Sequence, residues 1–224
     1  NFRYNIPLLF RGILMANHLK FYIDGQWVDP LGSETIEVIN PSDESVIGSI
    51  SAGTKEDIDL AVAAAKNAFE TFGFSSKEER ISILENIITE YEKRSDELAK
   101  TISEEMGAPL WLSNVAQVTS GLSHFKDTLE VLKTFEFEGT ENNYLIRKEP
   151  IGIIGMITPW NWPMNQMCTK VASAIASGCT MVLKPSEITT FCGMIFTEIL
   201  DKAKDHAGVF NLVNGMGQID GAAL

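Results

Sequence analysis

The sequence is poor in cysteine and in basic side chains, and each shortage excludes a class of protein. Its 224 residues include 3 cysteines, too few and too closely spaced for a disulfide scaffold, so we expect a reducing, cytoplasmic setting. With 18 basic against 30 acidic side chains, the formal charge of −12 argues against a nucleic-acid partner and an anionic membrane surface. No apolar run reaches the ~20 residues of a membrane helix. The hydrophobic content of 45% predicts a folded chain, long enough for one large or two small domains.

Both ends of the chain are unusual. Residues 1–14 precede the first methionine, Met15, and carry Arg3 and Arg11 without an acidic residue. They lack the long apolar core and the cleavage site of a secretory signal, so we expect a leader or a non-native extension. The last four residues, from Gly221, have the composition of the first turn of a helix. We therefore expect the sequence to stop partway through a fold.

The segment after Met15 has the alternation of short strands. Asp24-Gly25 is a two-residue hairpin signal, and residues 40–43 (Asn-Pro-Ser-Asp) form a second turn signal. Apolar and β-branched residues flank both turns, at 21–23, 26–28, 35–39 and 45–50. We predict a small antiparallel sheet from these segments.

A layer of helices follows. Thr54 and Ser76 have the sequence context of N-caps, and each opens an amphipathic helix. A further helix is predicted to begin at Ser95. After a break at Pro109, a longer helix is predicted from about residue 111 to residue 135.

At Pro150 the composition changes from charged to apolar. Residues 76–105 hold 14 charged side chains, whereas residues 151–200 hold four. The later part is predicted to contain strands at 151–157, 180–183 and 209–213, separated by helices at 163–177 and 190–207. This β-α-β-α-β order predicts half of a doubly wound parallel sheet. The uninterrupted apolar run at 151–157 predicts a strand covered on both faces.

In such sheets, ligands bind beyond the carboxyl ends of the strands, and three polar segments fall there. They are residues 158–163 (Thr-Pro-Trp-Asn-Trp-Pro), 184–187 (Lys-Pro-Ser-Glu) and 214–217 (Asn-Gly-Met-Gly). In the first segment, prolines restrain the backbone and indoles exclude water around Asn161, whose amide is then suited to steady a developing oxyanion. The alternative is a helix N-cap, in which the Asn161 side chain accepts from the next backbone amides.

The second and third segments offer features typical of nucleotide sites. Glu187 can accept two hydrogen bonds from a vicinal diol such as that of a ribose, and its charge would repel a 2′-phosphate, which favours NAD over NADP. A local ion pair between Lys184 and Glu187 is the alternative. Gly215, Gly217 and Gly221 depart from the dinucleotide fingerprint in spacing and in position. They fit either a close backbone approach to a ligand or a plain turn before a helix.

The cysteines and histidines form no recognisable catalytic or metal-binding set. Cys168, Cys179 and Cys192 adjoin no His, Lys or Arg in the sequence and lack metal-ligand spacing. We therefore predict buried, inert thiols and no metal site. The three histidines are scattered along the chain and form no triad.

Taken together, these segments resemble the N-terminal part of the NAD(P)-dependent aldehyde dehydrogenase superfamily. The resemblance runs from about Lys20 to Leu224 and rests on FYIDGQWV, EEMGAPLW, EPIGIIGMITPWNWP, SGCTMVLKPSE and VFNLVNGMGQIDGAAL, in that order. It implies the α/β aldehyde dehydrogenase fold in truncated form. Residues 15–135 would be strands and a helical layer of the cofactor-binding domain, 136–149 part of an oligomerisation arm, and 150–224 the first half of the Rossmann-like NAD-binding sheet, with the catalytic domain absent.

The resemblance also implies roles for individual residues. Asn161 matches the family's oxyanion-stabilising asparagine. The strand end that lines the nicotinamide-ribose side of the cofactor cleft is matched by Ile157, Thr158, Pro159 and Trp160. The residues that hold the adenosine ribose are matched by Lys184 and Glu187, with Ser186 beside them, and the glycines near the adenine pocket by Gly217 and Gly221. The implied cofactor is NAD, with NADP possible.

In that family, a cysteine thiolate attacks the aldehyde, the asparagine amide holds the oxyanion, and a glutamate activates the water that hydrolyses the thioester. Neither that cysteine nor that glutamate has a matching position in the 224 residues. We therefore expect the full-length protein, as a homodimer or homotetramer, to oxidise a small aldehyde to a carboxylic acid, and this chain alone to be inactive. Two alternatives stay open: a non-catalytic truncated NAD-binding or interaction module, and a CoA-acylating relative that releases a thioester.

Overall fold

The computed structural model describes residues 18–203 and 206–224, so the predicted leader at 1–14 lies outside the described residues. The strands are β1 (Phe21–Ile23), β2 (Gln26–Val28), β3 (Thr35–Asn40), β4 (Ser45–Ser51), β5 (Glu138–Glu141), β6 (Tyr144–Arg147), β7 (Ile153–Ile157), β8 (Thr180–Lys184) and β9 (Phe210–Leu212). The helices are α1 (Lys55–Phe72), α2 (Lys77–Lys93), α3 (Ser95–Met106), α4 (Leu110–Leu112), a π-helix (Ser113–Val118), α5 (Thr119–Thr134), α6 (Pro163–Ser177), α7 (Phe191–Ala203) and α8 (Asp220–Ala223).

A five-stranded sheet, in the order β2-β1-β9-β8-β7, forms the centre of the fold. β7 pairs in parallel with β8, and β8 pairs in parallel with β9. The prediction of an α/β fold with a β-α-β-α-β unit and half of a doubly wound sheet is confirmed. Because the three strands are parallel, their carboxyl ends meet at one edge of the sheet.

The predicted small antiparallel sheet at the start of the chain is present, but the expectation that all four segments belong to it is wrong. β3 and β4 form a separate two-stranded sheet, whereas β1 and β2 join the large sheet, where β1 runs antiparallel to β9. All three residues of β1 are buried. A strand covered on both faces needs a large sheet with helices on either side, so burial decides where β1 belongs.

Helices cover the two faces of the large sheet. α1 packs on one face, where Ile58, Ala61 and Ala65 meet Phe21 and Val182. On the other face lie the crossover helices α6 and α7, whose buried side chains share one core with residues of α2, α3 and α5. Among the described residues, the sheet therefore has α1 with the short α8 on one side and two layers of helices on the other.

Local signals in the sequence account for the helix ends. Thr54 and Asp57 form a capping box at the start of α1, in which the Thr54 amide donates to the Asp57 carboxylate at 2.9 Å. Gly178 ends α6 with a φ of 80°, a left-handed conformation that disfavours residues with a Cβ. The chain can then turn directly into β8.

β7 is not covered on both faces, contrary to the expectation from its apolar run. It lies at the edge of the sheet, and alternate side chains face outward, with Ile153 37% and Ile157 50% exposed. Met156, which points the other way, is buried. Apolar composition alone does not distinguish an edge strand from a central one, because it records the preference for burial and not which neighbours are present.

The single helix predicted from about residue 111 to residue 135 is interrupted by the π-helix between α4 and α5. Ser113 and Gln117 in this segment are buried. A wider turn changes which side chains face inward, and the 3.6-residue period used for prediction does not reveal it.

Candidate functional site

The three polar segments predicted at the strand ends lie at one edge of the sheet. The amide of Thr158, which follows β7, donates to the carbonyl of Lys184 at 3.3 Å, and the amide of Val213 donates to the carbonyl of Leu183 at 3.1 Å. The Lys184 side chain then reaches Gly215 after β9. The parallel strand order therefore brings together residues that are up to 57 positions apart.

Lys184 is the central link among these segments. Its ammonium donates to the carbonyls of Pro185 at 2.9 Å and of Gly215 at 2.7 Å, and lies 3.5 Å from the Glu187 carboxylate. The lysine is almost completely buried, and this burial lowers the pKa of its ammonium, an effect that the Glu187 charge opposes. Because its donors are engaged within the protein, Lys184 fixes the turn and holds Glu187.

The carboxylate of Glu187 is the charged group that this edge presents to solvent. One third of its side chain is exposed, compared with 2% for Lys184. The neighbouring Ser186 is buried, and its hydroxyl accepts from the amide of Ile188 at 3.2 Å. The predicted ion pair therefore exists, and it orients a carboxylate that remains available to a ligand.

The three glycines that follow β9 differ in the room around them. A Cβ added at Gly221 would lie 3.6 Å from the side chain of Ile157 and 3.7 Å from that of Lys184, whereas one at Gly217 would meet no atom within 4 Å. Gly215 has no such room, because an added Cβ would overlap the side chain of Asp220. Close packing explains Gly215, and Gly217 lines open space.

Asn161 lies in the loop between β7 and α6. The residue that caps α6 is Trp162, without a side-chain cap, so the interpretation of Asn161 as the N-cap is wrong. Asn161, Trp160 and Trp162 are exposed, so the two indoles do not shield the amide from water here. Among the described residues no hydrogen-bond partner is found for the Asn161 side chain, which leaves its amide free to bind a ligand.

Gln117 is a residue of this site that the sequence did not reveal. It is buried in the π-helix, and its side-chain amide donates to the backbone carbonyl of Asn161 at 3.3 Å. π-Helical turns often occur at functional sites, because they aim a side chain that a regular helix would misdirect. Gln117 thus restrains the loop that carries Asn161, and its distance of 44 positions in the sequence left no local signal.

The cysteines are buried, as predicted. Burial raises the pKa of Cys168 and of Cys192 well above the usual value for a thiol. A neutral, inaccessible thiol is a poor nucleophile. None of the three cysteines is therefore suited to attack a substrate.

We expect the three thiols to be unreactive in the folded chain. Native protein treated with a thiol-specific chromogenic reagent should show less than about a tenth of the reaction of the chain unfolded in guanidinium, because modification requires an exposed thiolate. A Cys179→Ser variant, which removes one buried thiol, is the matched control: after unfolding it should react with one equivalent of reagent fewer than the wild type. Rapid stoichiometric labelling of any cysteine under native conditions would contradict the prediction.

A cavity of about 470 Å³ lies elsewhere, between the end of α1 and the base of the β5–β6 hairpin. It is lined by Arg80, Arg147 and Pro150, which precedes β7, so it is at the amino end of the sheet. The buried Arg80 donates to the carbonyls of Ala176 and Ser75. The cavity is therefore separate from the strand-end residues.

Within residues 18–203 and 206–224, no helix is both long and apolar enough to cross a membrane. The same ranges contain no group of three or more His, Cys, Asp or Glu side chains placed to hold a metal ion.

Comparison with known proteins identifies close relatives. The model of the aldehyde dehydrogenase family matches residues 27–224. A 3-succinoylsemialdehyde-pyridine dehydrogenase from Pseudomonas sp is 48% identical over 211 residues, which cover 94% of this chain and 44% of that protein. The chain thus spans less than half the length of the curated relatives it matches.

Solved structures agree with this comparison. An aldehyde dehydrogenase mutant from Pseudomonas syringae, in complex with NAD⁺ and octanal, superposes with a TM-score of 0.91 at 42% identity, over 92% of this chain and 43% of that one. An aldehyde dehydrogenase from Bartonella henselae also gives 0.91, at 47% identity, over 94% of this chain and 45% of that one. A betaine aldehyde dehydrogenase from Staphylococcus aureus with NAD⁺ gives 0.87 at 31% identity, over 91% of this chain and 43% of that one.

Proposed function

This chain belongs to the aldehyde dehydrogenase family, and on that premise we propose that it forms the cofactor-binding part of an NAD-dependent enzyme that oxidises an aldehyde to a carboxylic acid. The observation that carries the proposal is the Glu187 carboxylate, held by buried Lys184 at the carboxyl end of the parallel sheet. Two of the three solved structures described above are complexes with NAD⁺, which supports the same cofactor here.

The residues at this edge fit a nucleoside with a free ribose diol. Glu187 would accept hydrogen bonds from the two ribose hydroxyls, while Lys184 keeps the carboxylate in place. Ser186 lies beside this pair. The open space at Gly217, with Gly221 packed against Ile157 and Lys184 nearby, offers room for the adenine.

The loop after β7 would serve the reacting end of the cofactor. Thr158, Pro159 and Trp160 continue from Ile157 along the side assigned to the nicotinamide ribose. When bound, NAD supplies the acceptor for hydride from the substrate. The Asn161 side-chain amide, which is exposed and free of partners in the described part of the chain, would donate to the oxygen of the aldehyde as negative charge develops there.

The three free cysteines agree with a reducing compartment, and we propose the cytoplasm. The exposed β5–β6 hairpin is proposed as part of an arm that joins copies into a homodimer or homotetramer. Residues 15–135 and 150–224 would together form the cofactor-binding domain. The residues of this site are compatible with either product, a carboxylic acid or a CoA thioester.

Binding of NAD and NADP to the chain tests the proposal. Trp160 and Trp162 lie near the site, so their fluorescence should report binding. We expect the wild-type chain to bind NAD more tightly than NADP. Glu187→Gln should weaken NAD binding by about 10- to 100-fold, the effect of losing a hydrogen bond to a charged group, and should weaken NADP binding less, because it removes a charge that repels the 2′-phosphate.

Glu70→Gln is the matched control, since Glu70 is exposed on α1 and its replacement makes the same change in charge. Its affinity for either cofactor should equal that of the wild type. Tighter binding of NADP than of NAD would refute the assignment of Glu187. Failure of the wild-type chain to bind either cofactor would refute the proposed site.

A further inference from the structure

The first turn of α7 receives its cap from a distant helix. Thr190, the residue before α7, donates its hydroxyl to the carbonyl of Ser186 at 2.9 Å, and among the described residues no amide of α7 donates to that hydroxyl. The amides of Phe191 and Cys192 donate instead to the two carboxylate oxygens of Glu105 on α3, at 2.7 and 3.0 Å. Glu105 thus satisfies two amides that a helix start leaves unpaired, and its charge suits the positive end of the helix.

A cap of this kind is costly compared with the usual one. Glu105 is completely buried, and burial raises the pKa of its carboxyl to about 7. The ordinary helix cap is a neutral Ser, Thr or Asn side chain that carries no such burial cost. Stabilising the start of α7 therefore does not by itself require a buried carboxylate.

The capped turn is tied to the segment that carries Glu187. The amide of Thr189 and the hydroxyl of Thr190 both donate to the carbonyl of Ser186, at 3.3 and 2.9 Å. The thiol of Cys192 donates to the carbonyl of Thr189 at 3.3 Å. Residues 186–190 thus form a hydrogen-bonded turn. The Ser186 carbonyl accepts the bonds at its start, and its end leads into the first turn of α7, which Glu105 holds.

We propose that Glu105 is a positioning residue of the cofactor site: by holding the first turn of α7, it fixes the turn at residues 186–190 and so the direction of the Glu187 carboxylate. The inference rests on the proposed function, because it assigns Glu187 to the ribose. Glu105 acts through the backbone of α7 and does not itself touch the cofactor.

NAD titration of the whole 224-residue chain provides the first test, with Glu105→Gln and Leu200→Ala compared with the wild type. In Glu105→Gln the side-chain amide would accept from only one of the two backbone amides, so NAD affinity should fall by about tenfold or more, as expected for a lost charged hydrogen bond. Leu200 is buried at the other end of α7, so its truncation loosens the helix without changing its start. Its effect on affinity should be no more than about twofold by the additivity of distant sites. Equal loss in the two variants would overturn the proposal.

The pH profile separates positioning from a purely structural role. The ionised carboxylate accepts from both amides, whereas the protonated carboxyl accepts through one oxygen only. Wild-type affinity for NAD should therefore fall as the pH is lowered through about 7, where Glu105 is protonated, and Glu105→Gln should lack this inflection. A wild-type profile identical in shape to that of the variant would contradict the proposal.

The groups facing Glu105 do not obscure this comparison, because they are present in both proteins. Glu104 on the same helix raises the Glu105 pKa, and the hydrogen bond from Cys192 on α7 lowers it. α4 and the π-helix, which pack against α3, carry no titratable side chain at residues 110–118. Glu37 on β3 is exposed, and α2 meets α3 at Arg94, the opposite end of the helix.

Hydrogen–deuterium exchange without cofactor distinguishes failure of this inference from failure of the proposed function. Amides of residues 186–192 should exchange faster in Glu105→Gln than in the wild type, and should be unchanged in Leu200→Ala. If the wild-type chain binds no NAD, the proposed cofactor site is wrong, and the exchange data still decide whether Glu105 holds the turn. Unchanged exchange in Glu105→Gln would overturn the positioning role.

Discussion

Replacing Lys184 with methionine is expected both to destabilise the chain and to abolish NAD binding. The buried ammonium satisfies the carbonyls of Pro185 and Gly215, and methionine of similar length would leave both without a donor. Each unsatisfied carbonyl costs about 1–3 kcal/mol, partly offset because a buried cation is removed, so the free energy of unfolding should fall by about 2–4 kcal/mol. Glu187 would also lose the group that orients it.

The measurement is urea unfolding followed by NAD titration at a temperature where the variant remains folded. Lys202→Met, at an exposed position in the last turn of α7, makes the same chemical change away from the site. It should alter stability by no more than about 0.5 kcal/mol and leave NAD affinity unchanged. If Lys184→Met matched Lys202→Met in both measurements, the ammonium would have no role in holding the strand ends together.

Phe196→Ala is expected to have the largest effect on stability. Phe196 is completely buried on α7, with its ring centroid 6.0 Å from that of Phe125 on α5 and 6.2 Å from that of Phe210 on β9. Its side chain therefore joins the outer helices, the crossover helix and the sheet. Truncation of a buried phenylalanine costs about 3–5 kcal/mol, because the lost burial is accompanied by a cavity.

Such a loss is a large part of the roughly 5–15 kcal/mol that typically stabilises a folded protein, so the variant should unfold at a much lower urea concentration. Phe74→Ala is the matched control, since Phe74 is 88% exposed and its removal leaves no cavity. Its unfolding midpoint should equal that of the wild type. A midpoint for Phe196→Ala close to that of Phe74→Ala would show that the three layers do not depend on this contact.

Much of the site was predictable because parallel strands collect their carboxyl ends at one edge. The positions of Asn161, Lys184 and Glu187 followed from the order of strands and helices alone. In the sequence, an ion pair between Lys184 and Glu187 and a ribose site are alternatives. The structure shows that the buried lysine holds a carboxylate that stays partly exposed.

Residues that act on the site from other helices were not predictable. Gln117 reaches the Asn161 loop from a π-helix, and Glu105 reaches α7 from 86 residues earlier in the chain. Both belong to helices whose pattern indicates only an apolar face and a polar face. Which polar side chain meets which backbone amide depends on how those helices cross, and helix crossing is set by packing.

The sequence by itself determined the class of fold, the order of strands and helices, and the family to which the chain belongs, because these follow from local patterns and short motifs. The tertiary structure alone decided that β1 is an interior strand, that one face of β7 is exposed, and that Lys184 directs its donors to backbone carbonyls. The physical reason is that burial and hydrogen-bond partners are properties of neighbours in space. Local preference specifies an element, and only packing specifies what that element meets.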